Sequence, residues 1–354
     1  MTEHADSMAR PAGRDGIVHG GDLGAARRFF PGAPEPWLDL STGINPHSYP
    51  LPAIPPECWT RLPDEGERRR LEAQAARAYG ARPQAHCVAA PGTQALIQLL
   101  PRLRPRGRVA VLGPTYGEHV TVWQAAGHDV RVTANVEDLA ASDVAVIVNP
   151  NNPDGRTLAS ADILALARRM HHWDGLVIVD EAFADVMPEV SCVGLLDSGT
   201  PILVLRSFGK IYGLAGIRLG FALTADETLA GRIRQELGPW AVPGPTLAVG
   251  IAALGDRVWI DAMRHRLSSD AARLDVLLAG PELTVVGGTP LFRLVETSRA
   301  AALFEHLGAR GIYVRRFDDA PRRLRFGLPG SEAAWARLAT ALAQFPQRRA
   351  AQRP

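Results

Sequence analysis

The sequence predicts an α/β protein: a large domain with a mostly parallel sheet flanked by helices, joined to a smaller α+β domain. Three observations predict it. Between residues 67 and 205, apolar runs of strand length alternate with stretches of helical periodicity, a pattern that builds a parallel sheet with both faces covered. From about Pro245 the alternation gives way to long helical stretches and paired strand-like runs. The residues suited to chemistry fall just after the apolar runs, where open α/β sheets bind ligands.

Residues 1–15 are polar and carry no apolar run, so they read as a loose tail without a secretion signal. His19-Gly20-Gly21-Asp22 comes next, and then a stretch dense in proline and glycine from Pro31 to Pro56, holding Leu40 to Pro46. That density argues for an extended segment. The residues leave two readings open, a surface linker or an arm over 1–55 that lends His19 and Gly43 to a cleft. A large domain is expected over 56–244. It opens on a helix at Glu67–Tyr79. Val88-Ala89-Ala90 then leads into a helix at Ala95–Leu103, and strands follow at 108–112, 130–133, 144–148, 176–179 and 202–205, with a helix at Ala161–Met170. A small domain is expected over 245–354. Its long helices at 245–280 precede a hairpin at 283–286 and 291–295 joined through Gly287-Gly288, a helix at 300–307, strands at 312–317 and 323–326, and a last helix. Residues 347–354 read as a frayed tail.

The chain has 354 residues, 46 % hydrophobic and 21 % charged, with a net charge of +2. That is an ordinary soluble composition, and so weak a field gives no reason to expect nucleic acid or membrane as a partner. No apolar run reaches membrane-spanning length. Cys58, Cys87 and Cys192 are odd in number and far apart, which suits a reducing cytoplasm and neither a disulfide framework nor a zinc knuckle. His171-His172 has no acidic partner at ligand spacing, so no metal site is expected.

Of the 39 basic residues one is lysine, leaving 38 arginines. A guanidinium stays protonated, whereas an amine can lose its proton and attack a carbonyl. The lone Lys210 is therefore the residue able to form a Schiff base. It follows the apolar run Pro201–Leu205, with Ser207 before it and Arg218 after it across Gly209, Gly213 and Gly216. Ser207 and Arg218 suit a phosphate, and Lys210 an aldehyde. The cofactor carrying both is pyridoxal 5'-phosphate, which also takes an acidic partner for its ring nitrogen.

Other strand ends carry matching groups. Gly92-Thr93-Gln94 opens a helix, and the free amides of a helix start would complete a phosphate cup. Asp180 ends an apolar run. Buried beside a cation it would stay ionised and hold the ring nitrogen protonated. Asn149–Gly155 is a turn stiffened by two X-Pro steps, and its Asn152 is placed to donate to the ring's phenolic oxygen. Tyr116 is placed to stack on the ring. Arg325 is the candidate for a substrate α-carboxylate and Arg315 for a second carboxylate or a phosphate.

Together these stretches resemble the fold-type I pyridoxal-phosphate enzymes of the aspartate aminotransferase superfamily, from His19 to about Leu342. The marks are Asn149–Gly155, Asp180–Phe183 and Ser207-Phe208-Gly209-Lys210 with Arg218. Within the superfamily the chain resembles the threonine-phosphate decarboxylases, through His19-Gly20-Gly21, Ser41–Pro46, Asp180–Phe183 and Leu324–Pro329. The resemblance implies a cytoplasmic homodimer in cobalamin biosynthesis that takes a small phosphorylated amino-acid substrate. The reaction implied is decarboxylation of L-threonine O-3-phosphate to (R)-1-aminopropan-2-yl phosphate. It also implies that His19, Gly20, Asn152, Arg315 and Arg325 contact the substrate. A histidinol-phosphate-type aminotransferase shares every cofactor residue, and a non-enzymatic cofactor-binding regulator is a third class. Two positions depart from relatives. Leu62 stands where many carry a tyrosine that reaches the neighbouring subunit, and Phe183 stands where several aminotransferases carry tyrosine.

Overall fold

The computed structural model describes residues 20–280 and 282–346. The expectations for residues 1–15, His19 and residues 347–354 lie outside them. In chain order the strands are β1 (Leu38–Leu40), β2 (His86–Ala90), β3 (Arg108–Leu112), β4 (Asp129–Thr133), β5 (Val144–Val148), β6 (Leu176–Asp180), β7 (Ile202–Ser207), β8 (Gly220–Thr224), β9 (Thr284–Thr289), β10 (Phe292–Glu296), β11 (Ile312–Arg316) and β12 (Arg323–Gly327).

Seven strands form one sheet in the order β2-β8-β7-β6-β5-β3-β4. β8 runs antiparallel to β2 and β7, and the other pairings are parallel. Every residue of β5, β6 and β8 is buried, which is why the first two read as apolar runs. Side chains alternate between two cores. Val144, Val146, Leu203 and Leu205 face one; Ala145, Ile147, Ile202 and Val204 face the other. Helices cover both. In Ser160–His171 the buried residues are Ile163, Leu166, Ala167 and Met170, at helical spacing. β8 and the helix Glu227–Leu237 went unread in the sequence.

The second sheet has the order β1-β11-β12-β10-β9. β1 lies in the proline-rich stretch read as extended, and it pairs in parallel with β11. The remaining pairs are antiparallel. The β9–β10 hairpin differs from its expected form. Gly287 and Gly288 sit inside β9, and the chain turns at Pro290-Leu291. The glycines serve a close approach to the other sheet's loops. A Cβ on Gly287 would lie 2.1 Å from the Asp154 carbonyl oxygen, and one on Gly155 would lie 2.0 Å from that of Gly288. The second sheet is thereby packed directly on the Asn149–Gly155 turn. Among the described residues, no helix is long and apolar enough to cross a membrane.

Candidate active site

A cavity of about 690 Å³ opens at the carboxyl ends of β5, β6 and β7, and the second sheet contributes part of its wall. Gly20, Gly43, Gly92, Thr93, Gln94, Tyr116, Asn152, Asp180, Ser207, Lys210, Arg218, Arg315 and Arg325 all line it. Every site residue singled out in the sequence is therefore brought together, apart from His19, which is outside the described residues.

Lys210 sits in the single turn Phe208–Ile211 that follows β7. Its amine lies 5.4 Å from the centre of the Phe183 ring. Burial lowers its pKa from 10.5 to about 8, with Arg325 and Arg218 adding to the fall and Asp180 opposing it. At pH 7 about one amine in ten is then an uncharged nucleophile. Asp180, 4 % exposed, accepts a hydrogen bond from the Ala182 amide at 3.0 Å, and its other oxygen is 2.9 Å from His119 Nε2. His119 is 1 % exposed. Sequence reasoning missed it. The only available signal was its place in the first turn after Tyr116, whose ring it meets edge-on at 6.1 Å.

The three asparagines of the Asn149–Gly155 turn divide their work. Asn149 exchanges hydrogen bonds with Leu158, accepting from its amide at 2.9 Å and donating to its carbonyl at 3.1 Å. Asn151 accepts from Thr115 Oγ1 at 2.6 Å and donates to Pro114 and Asp154. Both lock the loop. Asn152 lines the cavity, and its Oδ1 accepts from Arg325 Nη1 at 2.5 Å. A guanidinium only donates, so the carboxamide oxygen must face it and the NH₂ must face elsewhere. Arg325 Nη2 donates to the Ser41 carbonyl at 2.9 Å. Among the described residues no carboxylate forms an ion pair with Arg325 or Arg315; Asp39 acts on the first, and Asp318 and Asp319 on the second, from a distance. Arg325 Nε and Arg315 Nη1 are buried without a hydrogen-bond partner.

At the far end Gly92 has φ +86°, which glycine adopts without strain. A Cβ there would lie 2.6 Å from Arg218 Nη2. Gly220, paired with Ser207, presses on the same helix start; its Cβ would lie 2.5 Å from the Thr93 nitrogen. Tyr116 donates to Gln94 Oε1 at 3.2 Å, and Gln94 Nε2 donates to Glu118 at 2.7 Å. Burial pushes the Tyr116 phenol up to about 12, so it stays a donor. Glu181 takes no part in the cavity. It is fully buried against Arg206 at 2.7 Å and Ser191 at 2.6 Å. Phe183 packs edge-on against Phe292 at 5.1 Å, and a Cβ on Gly43 would lie 2.9 Å from each ring.

Comparison with known proteins agrees with this geometry. The model of the aminotransferase class I and II family matches residues 60–342. A threonine-phosphate decarboxylase from Sinorhizobium sp is 46 % identical over 335 residues, covering 93 % of this chain and 98 % of that protein. One from Pseudomonas aeruginosa is 45 % identical, covering 94 % and 98 %. The histidinol-phosphate aminotransferase of Sinorhizobium meliloti, solved in complex with pyridoxal-5'-phosphate, superimposes with a TM-score of 0.75 at 20 % identity, covering 94 % of this chain and 95 % of that one. The chain belongs to the aminotransferase class I and II family.

Proposed function

We propose that this chain is a pyridoxal-phosphate-dependent carboxy-lyase that converts L-threonine O-3-phosphate to (R)-1-aminopropan-2-yl phosphate and carbon dioxide. The observation that carries the reading is one cavity holding a single softened amine, one buried carboxylate and two arginines that, among the described residues, form no ion pair with a carboxylate. The two decarboxylases at 46 % and 45 % identity support the substrate.

The residues fit the cofactor. Lys210 would hold it by its amine, and Asp180, itself held by His119, would keep the ring nitrogen protonated. The Gly92 backbone, with no side chain between it and Arg218, supports a phosphate cup of Gly92, Thr93, Gln94, Ser207 and Arg218. Tyr116 would stack on the ring, and Asn152 NH₂ would donate to its phenolic oxygen. When bound, the cofactor supplies a ring that accepts the electron pair released as carbon dioxide departs. Arg325 would bind the substrate carboxylate, and Arg315 the phosphate or a second carboxylate. Residues of the arm, His19, Gly20 and Gly43, would close over them. Lys210, poised near pH 8, would return a proton to Cα.

The reading keeps the division into an arm over 1–55, a cofactor domain over 56–244 and a small domain over 245–354, and it places the protein in the cytoplasm in cobalamin biosynthesis. It takes the protein to be a homodimer. Trp59, Leu62 and Trp240 are each more than half exposed. Glu57–Thr60 and the start of the helix Gly244–Gly255 pack together beside them, the Cys58 carbonyl lying 2.5 Å from a Cβ on Gly244. Large apolar groups left in water support a protein partner.

The test is incubation with L-threonine O-3-phosphate, measuring carbon dioxide release against glutamate formed from 2-oxoglutarate. Release without glutamate is expected. Glutamate formation with no carbon dioxide would identify an aminotransferase.

A further inference from the structure

We infer that Asp39 and Ser41 are positioning residues for the substrate carboxylate, because they fix Arg325 and the Gly20-Gly21 wall of the cavity through one buried hub. The inference rests on the reading that Arg325 binds that carboxylate.

Ser41 is fully buried, and four hydrogen bonds from three residues converge on it. Its hydroxyl donates to Asp39 Oδ1 at 2.6 Å, and its amide donates to the same oxygen at 2.8 Å. The hydroxyl also accepts from the Gly21 amide at 2.7 Å. Its carbonyl accepts from Arg325 Nη2 at 2.9 Å. An amide bonded to the aspartate two residues back is a local turn and would explain only the second of these. The others join three separate parts of the chain. Asp39 is on β1, which is held to β11 in register. Gly20 and Arg325 both line the cavity.

The geometry leaves little slack. A Cβ on Gly20 would lie 2.4 Å from the Ser41 carbonyl oxygen, so the arm is pressed on the hub by backbone alone. Electrostatics point the same way. Burial draws the Arg325 pKa down to about 9 and Arg315 lowers it further, while Asp39 is the acid that opposes them. Asp39 does not touch the guanidinium; it acts through the serine between them. A direct ion pair would occupy the fork that a ligand needs. A carboxylate one residue removed keeps the arginine charged and aimed while leaving Nε free for an anion.

The experiment compares Asp39→Asn and Ser41→Ala with the unaltered holoenzyme. Substrate affinity is read by titrating the bound cofactor's visible absorbance with L-threonine O-3-phosphate, alongside KM, kcat, cofactor affinity and Tm. Each variant is expected to weaken substrate affinity and raise KM by about tenfold, the size of one buried hydrogen bond to a charged group. Cofactor affinity should not change and kcat should stay within about twofold. Unchanged substrate affinity would overturn the inference. So would cofactor affinity, kcat and Tm falling in step, since that is a general structural role. The titration reads carboxylate binding whether or not carbon dioxide leaves. Unaltered enzyme that binds the substrate yet releases none would sink the decarboxylase reading alone.

Discussion

The Lys210 amine gives the sharpest pH prediction. Its pKa falls from the 10.5 of an ordinary lysine to about 8, chiefly through burial and then through Arg325. That fall corresponds to roughly 3 kcal/mol at 1.36 kcal/mol per unit. At pH 7 about one amine in ten would be neutral, against about one in three thousand for an unperturbed lysine, a nucleophile enriched roughly 300-fold. The perturbation is pH. The assay is the rate at which cofactor-free protein captures pyridoxal 5'-phosphate, followed by visible absorbance. The rate should climb about tenfold per pH unit and level off near pH 8. Stability follows the same group. Between about pH 8 and 10.5 the unfolded chain binds a proton that the folded chain lacks, so cofactor-free protein should gain stability as pH rises through that window. Arg325→Met removes the second cause, so its plateau should move to higher pH. A capture rate still climbing at pH 10 would show that the pocket does not soften the amine, and the argument from burial would fail.

Three further outcomes are expected. His119→Phe leaves Asp180, among the described residues, with the Ala182 amide as its remaining donor. Losing one bond to a buried charge costs about 1–3 kcal/mol, so kcat should fall about ten- to hundredfold with little change in substrate KM, measured by carbon dioxide release. Asn152→Asp puts a carboxylate at the atom that now accepts from Arg325; this internal partner should raise substrate KM at least about tenfold, and a lower KM would contradict the role given to Arg325. Gly43→Ala drives a methyl to 2.9 Å from both the Phe183 and Phe292 rings. Overpacking of that kind costs about 1–3 kcal/mol, so Tm should drop by several degrees and substrate affinity should fall with it.

What was legible in the sequence was whatever one strand or one turn decides by itself. The runs at Val144–Val148 and Leu176–Val179 are apolar throughout because both of their faces are covered, and their positions agree closely with β5 and β6. Lys210 stood out because its chemistry has no substitute among 38 arginines. What escaped depends on contacts far apart in sequence. β1 has three residues and no periodicity of its own; β11, more than 270 positions later, makes it a strand. His119 is an ordinary helix residue until folding sets it 2.9 Å from a carboxylate 61 positions away. Gly287-Gly288 read as a turn because glycine marks turns and close approaches alike, and only the other sheet's loop decides between them.

The same non-local logic explains why the cavity selects an anion. Arg315 and Arg325 are direct cross-strand partners on β11 and β12, an arrangement of like charges that destabilises an isolated sheet. Burial lowers the pKa of both, and Arg315 lowers that of Arg325 further, while Tyr313, Asp318, Tyr116 and Asp319 oppose the fall at Arg315. Elsewhere the chain handles a buried arginine differently: Arg206 lies between Glu181 and Asp185 with both carboxylates bonded to it. Removing one partner from a buried pair costs about 3–5 kcal/mol, whereas among the described residues no carboxylate is ion-paired with Arg325 or Arg315, and Asp39, Asp318 and Asp319 act on them only from a distance. The absent counter-charge has to arrive with the ligand. A substrate carrying a carboxylate and a phosphate brings two anionic groups to two cations, whereas a mono-anionic amino acid would leave one guanidinium unmatched. The site therefore discriminates by charge count before it discriminates by shape, and L-threonine O-3-phosphate should bind far better than L-threonine, by an amount that shrinks when Arg315 is replaced by methionine.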